Sequence, residues 1–306
     1  MVNELLSILF IVLIGLFARK RGIVSKGEAN VLNAIVMKLT LPALIFVSIV
    51  EADISWQFVK LVPLAFLLCA LGGGAAFFLA RLMKLSPPST GSLMVAAMFC
   101  NSGFIGFPIA YQMFQESGLV RIMIFDLLGQ NIPMFSVGLW IAAYFGQSDG
   151  ETAFQDSLGA LKQALLSPAL LALVLGFLAR PLNLPKVVFD TLQWFGGITI
   201  PLVVFSLGLS LDVSLKELRF GPILAAVGIQ LFLAPLMAAW VGGWWKLDPM
   251  TYQIGILAAA TPVAMGTLPI AFEYGLDEGL LSSLILVTTL LCVVTIPLMS
   301  SLLGVG

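Results

Sequence analysis

Histidine is absent from this chain, and charged side chains make up only 10% of its 306 residues. Without imidazole the commonest metal ligand and the commonest general base are both missing, which excludes haem sites, His-ligated zinc hydrolases and Ser-His catalysis within a membrane. Cysteine is scarce too: Cys69, Cys100 and Cys292 are odd in number, far apart and set in apolar runs. They make neither a disulfide framework nor a Cys-x-x-Cys site, and read as packing residues. A soluble domain carries about 25% charged residues, so a chain that is 60% apolar and 10% charged has too little polar surface for one. The formal net charge of -1 gives no electrostatic case for nucleic acid. The expectation is a chain with no catalytic residue, no cofactor and no bound metal.

What the sequence has in quantity is long apolar runs. Breaking it at polar, Gly and Pro clusters leaves stretches 4–18, 29–50, 57–80, 89–113, 120–145, 158–180, 187–210, 219–244, 251–273 and 279–303. A helix crosses a bilayer with about 20 mostly apolar residues, and these runs are too long and too little alternating for a barrel. They predict an all-α membrane protein of ten transmembrane helices. The first run has Glu4 before it and Arg19-Lys20-Arg21 after it, the reverse of a cleavable signal, and so reads as a transmembrane helix.

The halves match at a shift of about 160 residues. Leu39-Thr40-Leu41-Pro42 answers Ile198-Thr199-Ile200-Pro201, and Pro108-Ile109-Ala110 answers Pro269-Ile270-Ala271. The sequence therefore predicts two five-helix repeats, 1–146 and 158–306, joined by an acidic cytoplasmic link at 147–157. An odd number of spans per repeat inverts the second copy, an architecture of secondary transporters. Lys and Arg cluster in the loops after odd-numbered spans, beginning with Arg19-Lys20-Arg21, which places both termini outside the cytoplasm. The same cluster suits anionic lipid, and Trp240, Trp244 and Trp245 beside Lys246 suit an interfacial belt.

Two runs are interrupted at their middle. The fourth reads Asn101-Ser102-Gly103-Phe104-Ile105-Gly106-Phe107-Pro108, and the ninth reads Thr261-Pro262-Val263-Ala264-Met265-Gly266-Thr267-Leu268-Pro269. Two Gly and a Pro, or two Pro and a Gly, within a turn or two leave backbone groups unpaired, which hydrocarbon tolerates only where they line a polar cavity. A matched pair of breaks points to a transporter binding site, and the half-helix N-termini suit a carboxylate. Asn101, Gly103, Gly106, Pro108, Thr261, Pro262, Gly266 and Thr267 are the candidate substrate-binding residues, with Gln130 beside them.

The segment Asn101–Pro108 resembles the Asn-x-Gly-x-x-Gly motif of the auxin efflux carrier family, which includes plant PIN-type carriers and bacterial dicarboxylate carriers. The resemblance extends over the whole chain. It implies a fold similar to that of PIN carriers and bile-acid sodium symporters, with the fourth and ninth spans crossing in a mobile core of spans three to five and eight to ten. It also implies a scaffold of spans one, two, six and seven, elevator-type alternating access, dimerisation through the scaffold, and malate, malonate or a related organic anion as substrate. The long cytoplasmic loop of the plant carriers is missing, so the resemblance is to a bacterial member in the plasma membrane.

Asp126 has no acidic counterpart in the second half, where Thr288 and Thr289 stand instead. An acid at a helix centre costs roughly 2.5–3.5 kcal/mol on insertion scales, so it faces protein or water. It is the candidate proton carrier, with a structural anchor as the competing role. Asn101 can offer its amide to a carboxylate or cap a half-helix, and Gln130 can bind substrate or satisfy the carbonyl that Pro133 frees. The sequence favours proton coupling. The alternatives are a sodium-coupled symporter of the bile-acid type, for which only Asn101, Thr261 and Thr267 offer oxygen ligands at the breaks, and an anion channel, which would need a continuous polar pore.

Overall fold

The computed structural model describes residues 2–146, 159–182, 184–210 and 218–305, so the link expected at 147–157 lies outside the described residues. The regular elements of the described chain are all helical, apart from one antiparallel β-bridge. In chain order the helices are α1 (Val2–Lys20), α2 (Gly27–Glu51), α3 (Trp56–Leu82), α4 (Pro87–Met98), α5 (Ser102–Phe145), α6 (Gly159–Leu165) and α7 (Pro168–Ala179). They continue as α8 (Lys186–Ser210), α9 (Phe220–Trp244), α10 (Pro249–Ala259), α11 (Thr267–Tyr274) and α12 (Glu278–Leu303).

The protein is an all-α membrane-spanning protein, but the expected ten spans in two five-helix repeats are not what the structure shows. Among the described residues six helices are long and apolar enough to cross a bilayer, namely α2, α3, α5, α8, α9 and α12, or seven if α6 and α7 count as one broken span. The difference arises at the breakers. Run 89–113 yields only the 12-residue α4 before the chain turns extended at Phe99. Its remainder runs on into run 120–145 as the 44-residue α5, which is kinked where Gln115 takes a non-helical φ of 53°. Run 251–273 is cut into α10 and α11, of 11 and 8 residues. Run 158–180 is interrupted at Ser167-Pro168, where the Ser167 hydroxyl caps α7 by accepting from Leu170 N–H at 3.3 Å.

Four of the prolines within the long helices have widened turns beside them. Five π-helical segments occur among the described residues, Val36–Thr40, Ser102–Gly106, Phe125–Gln130, Met134–Gly138 and Gly228–Leu233. Each lies within three residues of a proline, Pro42, Pro108, Pro133 or Pro235. Proline removes a backbone donor and crowds the preceding turn, and opening the ring of hydrogen bonds by one residue relieves both.

The chain divides into two compact units. The first comprises Met1–Trp56, Gly103–Met123 and Leu165–Leu211. Within it α1 crosses α8 at two glycines: a Cβ on Gly15 would lie 2.3 Å from Phe205 O, and one on Gly208 would lie 2.1 Å from Val12 O. Only hydrogen side chains permit that approach, the small-residue contact that replaces hydrophobic burial where lipid is the solvent. Arg19 Nη1 donates to Leu209 O at 2.7 Å, closing one end of the pair.

The second unit comprises Gln57–Ser102, Ile124–Ala164 and Asp212–Gly306. Its interior holds Leu61, Leu64, Leu93, Phe99 and Phe125, all fully buried. On α3, Gly72 meets α4 closely enough that a Cβ would stand 2.1 Å from Ala97 O. At one end Arg219 Nη1 pairs with Asp277 Oδ2 at 2.8 Å, and Ser89 Oγ donates to the same carboxylate at 2.6 Å. Asp277 Oδ1 accepts from Leu280 N–H and so caps α12.

Candidate functional site

The candidate site is built from the two segments at which the apolar runs fail to stay helical. Phe99 to Asn101 joins α4 to α5, and Ala260 to Gly266 joins α10 to α11. In the second unit these segments lie antiparallel, with Cys100 bridged to Val263. Asn101 N–H donates to Pro262 O at 2.7 Å, and Ala264 N–H donates to Phe99 O at 2.9 Å. Each break therefore supplies partners for the backbone groups that the other exposes, as hydrocarbon demands.

Side chains complete the pairing. Gln130 Oε1 accepts from Cys100 N–H at 3.2 Å, and its Nε2 donates to Cys69 Sγ at 3.5 Å. Gln230 Nε2 donates to Thr261 O at 3.2 Å. Val263 N–H donates to Thr288 Oγ1 at 3.2 Å, while that hydroxyl donates to Leu284 O at 2.7 Å. Gln130 and Gln230 both stand in π turns, whose extra residue shifts the register of side chains around the helix. Their amides are buried at the breaks, where an unsatisfied backbone group costs roughly 1–3 kcal/mol.

The structure thus brings Asn101, Thr261, Pro262 and Gln130 into one hydrogen-bonded cluster, although Gln130 contacts backbone there and not an open space. The hydroxyls of Thr261 and Thr267 donate to Ala258 O and Ala264 O, each at 2.7 Å, which leaves their lone pairs and not their protons for a ligand. Gly266 is exposed, next to the buried Thr267. Gly103 and Gly106 lie in the π turn Ser102–Gly106, and Pro108 follows it in α5; all three belong to the first unit. Asp126 stands in the π turn Phe125–Gln130, where its Oδ1 accepts from Ser102 Oγ at 2.5 Å. Among the described residues no group of three His, Cys, Asp or Glu could hold a metal ion.

Sequence reasoning missed Gln230, which serves the second break as Gln130 serves the first. Its only local signal is a single amide within the apolar run 219–244. Thr288 stood out only as the replacement for an acid, not as an acceptor for Val263.

The sequence profile of the family described as "Membrane transport protein" matches residues 1–300. An "Uncharacterized transporter" of Methanothermobacter thermautotrophicus is 32% identical over 301 residues, covering 97% of both chains. One from Methanocaldococcus jannaschii is 31% identical over 304 residues, covering 97% of this chain and 96% of the relative. A protein of Rhizobium meliloti named "Putative malonate transporter" is 25% identical over 286 residues, covering 88% of this chain and 86% of its own. The chain belongs to this family of membrane transport proteins, the family to which auxin efflux carriers belong. It is a multi-pass membrane transporter and not an enzyme.

Proposed function

We propose that the protein is a secondary active transporter of a small dicarboxylate or related carboxylate, driven by protons and moving its substrate by elevator-type alternating access. The observation that carries this reading is the antiparallel pairing of Cys100 with Val263, flanked by Asn101 and Pro262. Helix starts adjoin both paired segments, at Ser102 in α5 and Thr267 in α11. Backbone N–H groups at a helix start favour a carboxylate. In this reading the substrate-binding residues are Asn101, Gly103, Gly106, Pro108, Thr261, Pro262, Gly266 and Thr267, with Gln130 holding the first break in place. The malonate named for the Rhizobium relative supports the substrate class.

Asp126 is the proposed proton carrier. Its hydroxyl partner, Ser102, directly follows Asn101 in the chain, so a change of charge on Asp126 reaches the first break through one hydrogen bond. The resemblance to auxin efflux carriers supports a homodimer in the plasma membrane, and the Arg19-Lys20-Arg21 cluster supports termini outside the cytoplasm.

The test is uptake of radiolabelled malonate by proteoliposomes holding the purified protein, with a pH gradient or a sodium gradient imposed separately. Accumulation that follows the pH gradient and ignores sodium is the expected result. Accumulation only with sodium would replace the coupling ion. Absence of uptake and of exchange for malonate, malate and their homologues would remove the substrate class.

A further inference from the structure

The first unit contains a cavity of ≈ 360 Å³ that no step of the proposed transport reaction uses. Ser48 of α2, Tyr111, Gln112 and Glu116 of α5, and Gln193 of α8 line it with polar groups. Ser48 is buried, and its hydroxyl donates to Glu116 Oε2 at 3.0 Å, which fixes the carboxylate at the wall. Among the described residues Glu116 takes no further hydrogen bond, and the side chains of Tyr111, Gln112 and Gln193 take none. Glu116 Oε1 and the half-buried or exposed side chains of Tyr111, Gln112 and Gln193 are therefore able to bond a ligand in the cavity. The remaining wall is apolar, from Leu44, Val47, Ile200 and Pro201.

The charge of the wall restricts the occupant. Glu116 is the one charged side chain among the described lining residues, with no Lys or Arg to offset it. A carboxylate entering there would meet a fixed negative charge, so this is not a second copy of the anion site. Size restricts it further. A water takes ~30 Å³ of liquid volume, so a bare inorganic cation would leave most of the space unfilled, whereas small-molecule pockets begin near 300 Å³.

We propose that this cavity binds a small organic ammonium compound with an apolar body. Its N–H donors bond Glu116 Oε1 and the side-chain carbonyls of Gln112 and Gln193, while the body rests on Leu44, Val47, Ile200 and Pro201. The arrangement is the usual one for a small-molecule site, an apolar lining with a few polar groups that set orientation.

The probe is 2-phenylethylammonium, with 3-phenylpropanoate as a partner of the same body and opposite charge. Binding to the full-length protein in detergent is measured by calorimetry and by thermal shift, at constant ionic strength. Two variants test the assignment. Glu116→Gln keeps a side-chain acceptor for Ser48 and removes the charge. Gly197→Leu adds a side chain at a lining position where a Cβ would meet no atom within 4 Å, so it fills space without displacing the wall.

The ammonium compound is expected to bind wild type saturably while the carboxylate does not. Its affinity should fall at least tenfold in Glu116→Gln and be lost in Gly197→Leu, with the ligand-free melting temperature of both variants close to wild type. Stabilisation by malonate, which reports the separate carboxylate site, should be unchanged in both. Absence of ammonium binding to wild type, equal binding of the carboxylate, or an unchanged ammonium affinity in Glu116→Gln would overturn the assignment. Loss of malonate binding alone would leave it standing and count against the transport reading instead.

Discussion

The Ser102 hydroxyl donates to Asp126 Oδ1 at 2.5 Å, tying the π turn Phe125–Gln130 to the first residue of α5. Hydroxyl-to-carboxylate bonds of this length are among the strong ones. Because Asn101, the preceding residue, is paired with Pro262 through its backbone, an acid in the fifth apolar run is one residue away from both breaks.

Asp126→Asn keeps the shape and an acceptor for Ser102 while removing the titratable proton. Malonate accumulation driven by a pH gradient should collapse in this variant, whereas exchange of malonate between equal compartments should survive. The comparison is made in the same proteoliposomes. Both activities near wild type would reduce Asp126 to an anchor, and loss of both would make it a substrate contact.

Gln130→Leu and Gln230→Leu should each destabilise the protein by roughly 1–3 kcal/mol, because each strands one buried backbone group at a break. The readout is the unfolding midpoint in a fixed detergent. Gln253→Leu is the control, since its amide donates to Gly304 O in an exposed setting, and its effect should lie within about 0.5 kcal/mol.

Two glycines two residues apart on α3 should respond in opposite ways. Gly72→Ala places a methyl 2.1 Å from Ala97 O and forces α3 from α4, whereas Gly74→Ala meets nothing within 4 Å. The first should lower the melting temperature by several degrees. The second should be neutral or stabilising, by up to about 1 kcal/mol, since alanine is the better helix former.

Asp277 has two roles that two substitutions separate. Asp277→Asn keeps an oxygen for the Leu280 N–H and removes the ion pair with Arg219, which is 44% exposed on its side chain and so contributes little. Asp277→Ala removes the cap, adding about 0.5–2 kcal/mol, and with it the oxygen that accepts from the buried Ser89 hydroxyl. The alanine variant should therefore melt well below the asparagine variant, with a gap that added salt leaves nearly unchanged.

Composition and run length were enough to establish a helical membrane protein, because the absence of histidine and the apolar excess are properties of the residues themselves. The second break was legible for the same reason, since Pro262 and Gly266 act on their own backbone, whereas the first falls at Phe99–Asn101 and leaves Gly103, Gly106 and Pro108 in helical turns. The number of spans was not legible. Hydropathy averages over a window and reads the apolar residues of a broken segment as those of a continuous helix. It took the folded chain to end α4 at Met98, to carry two runs on through a kink at Gln115 and to divide α10 from α11.

Which residues support the breaks was decided by tertiary structure alone. Gln130 lies 30 residues from Cys100, Gln230 lies 31 from Thr261, and Thr288 lies 25 from Val263. A buried amide in an apolar run announces that some polar group needs it, but the identity of that group depends on where the helix axes and π turns carry it. The same holds for Ser48 and Glu116, 68 residues apart and joined by one hydrogen bond at the wall of a cavity that no run of sequence outlines.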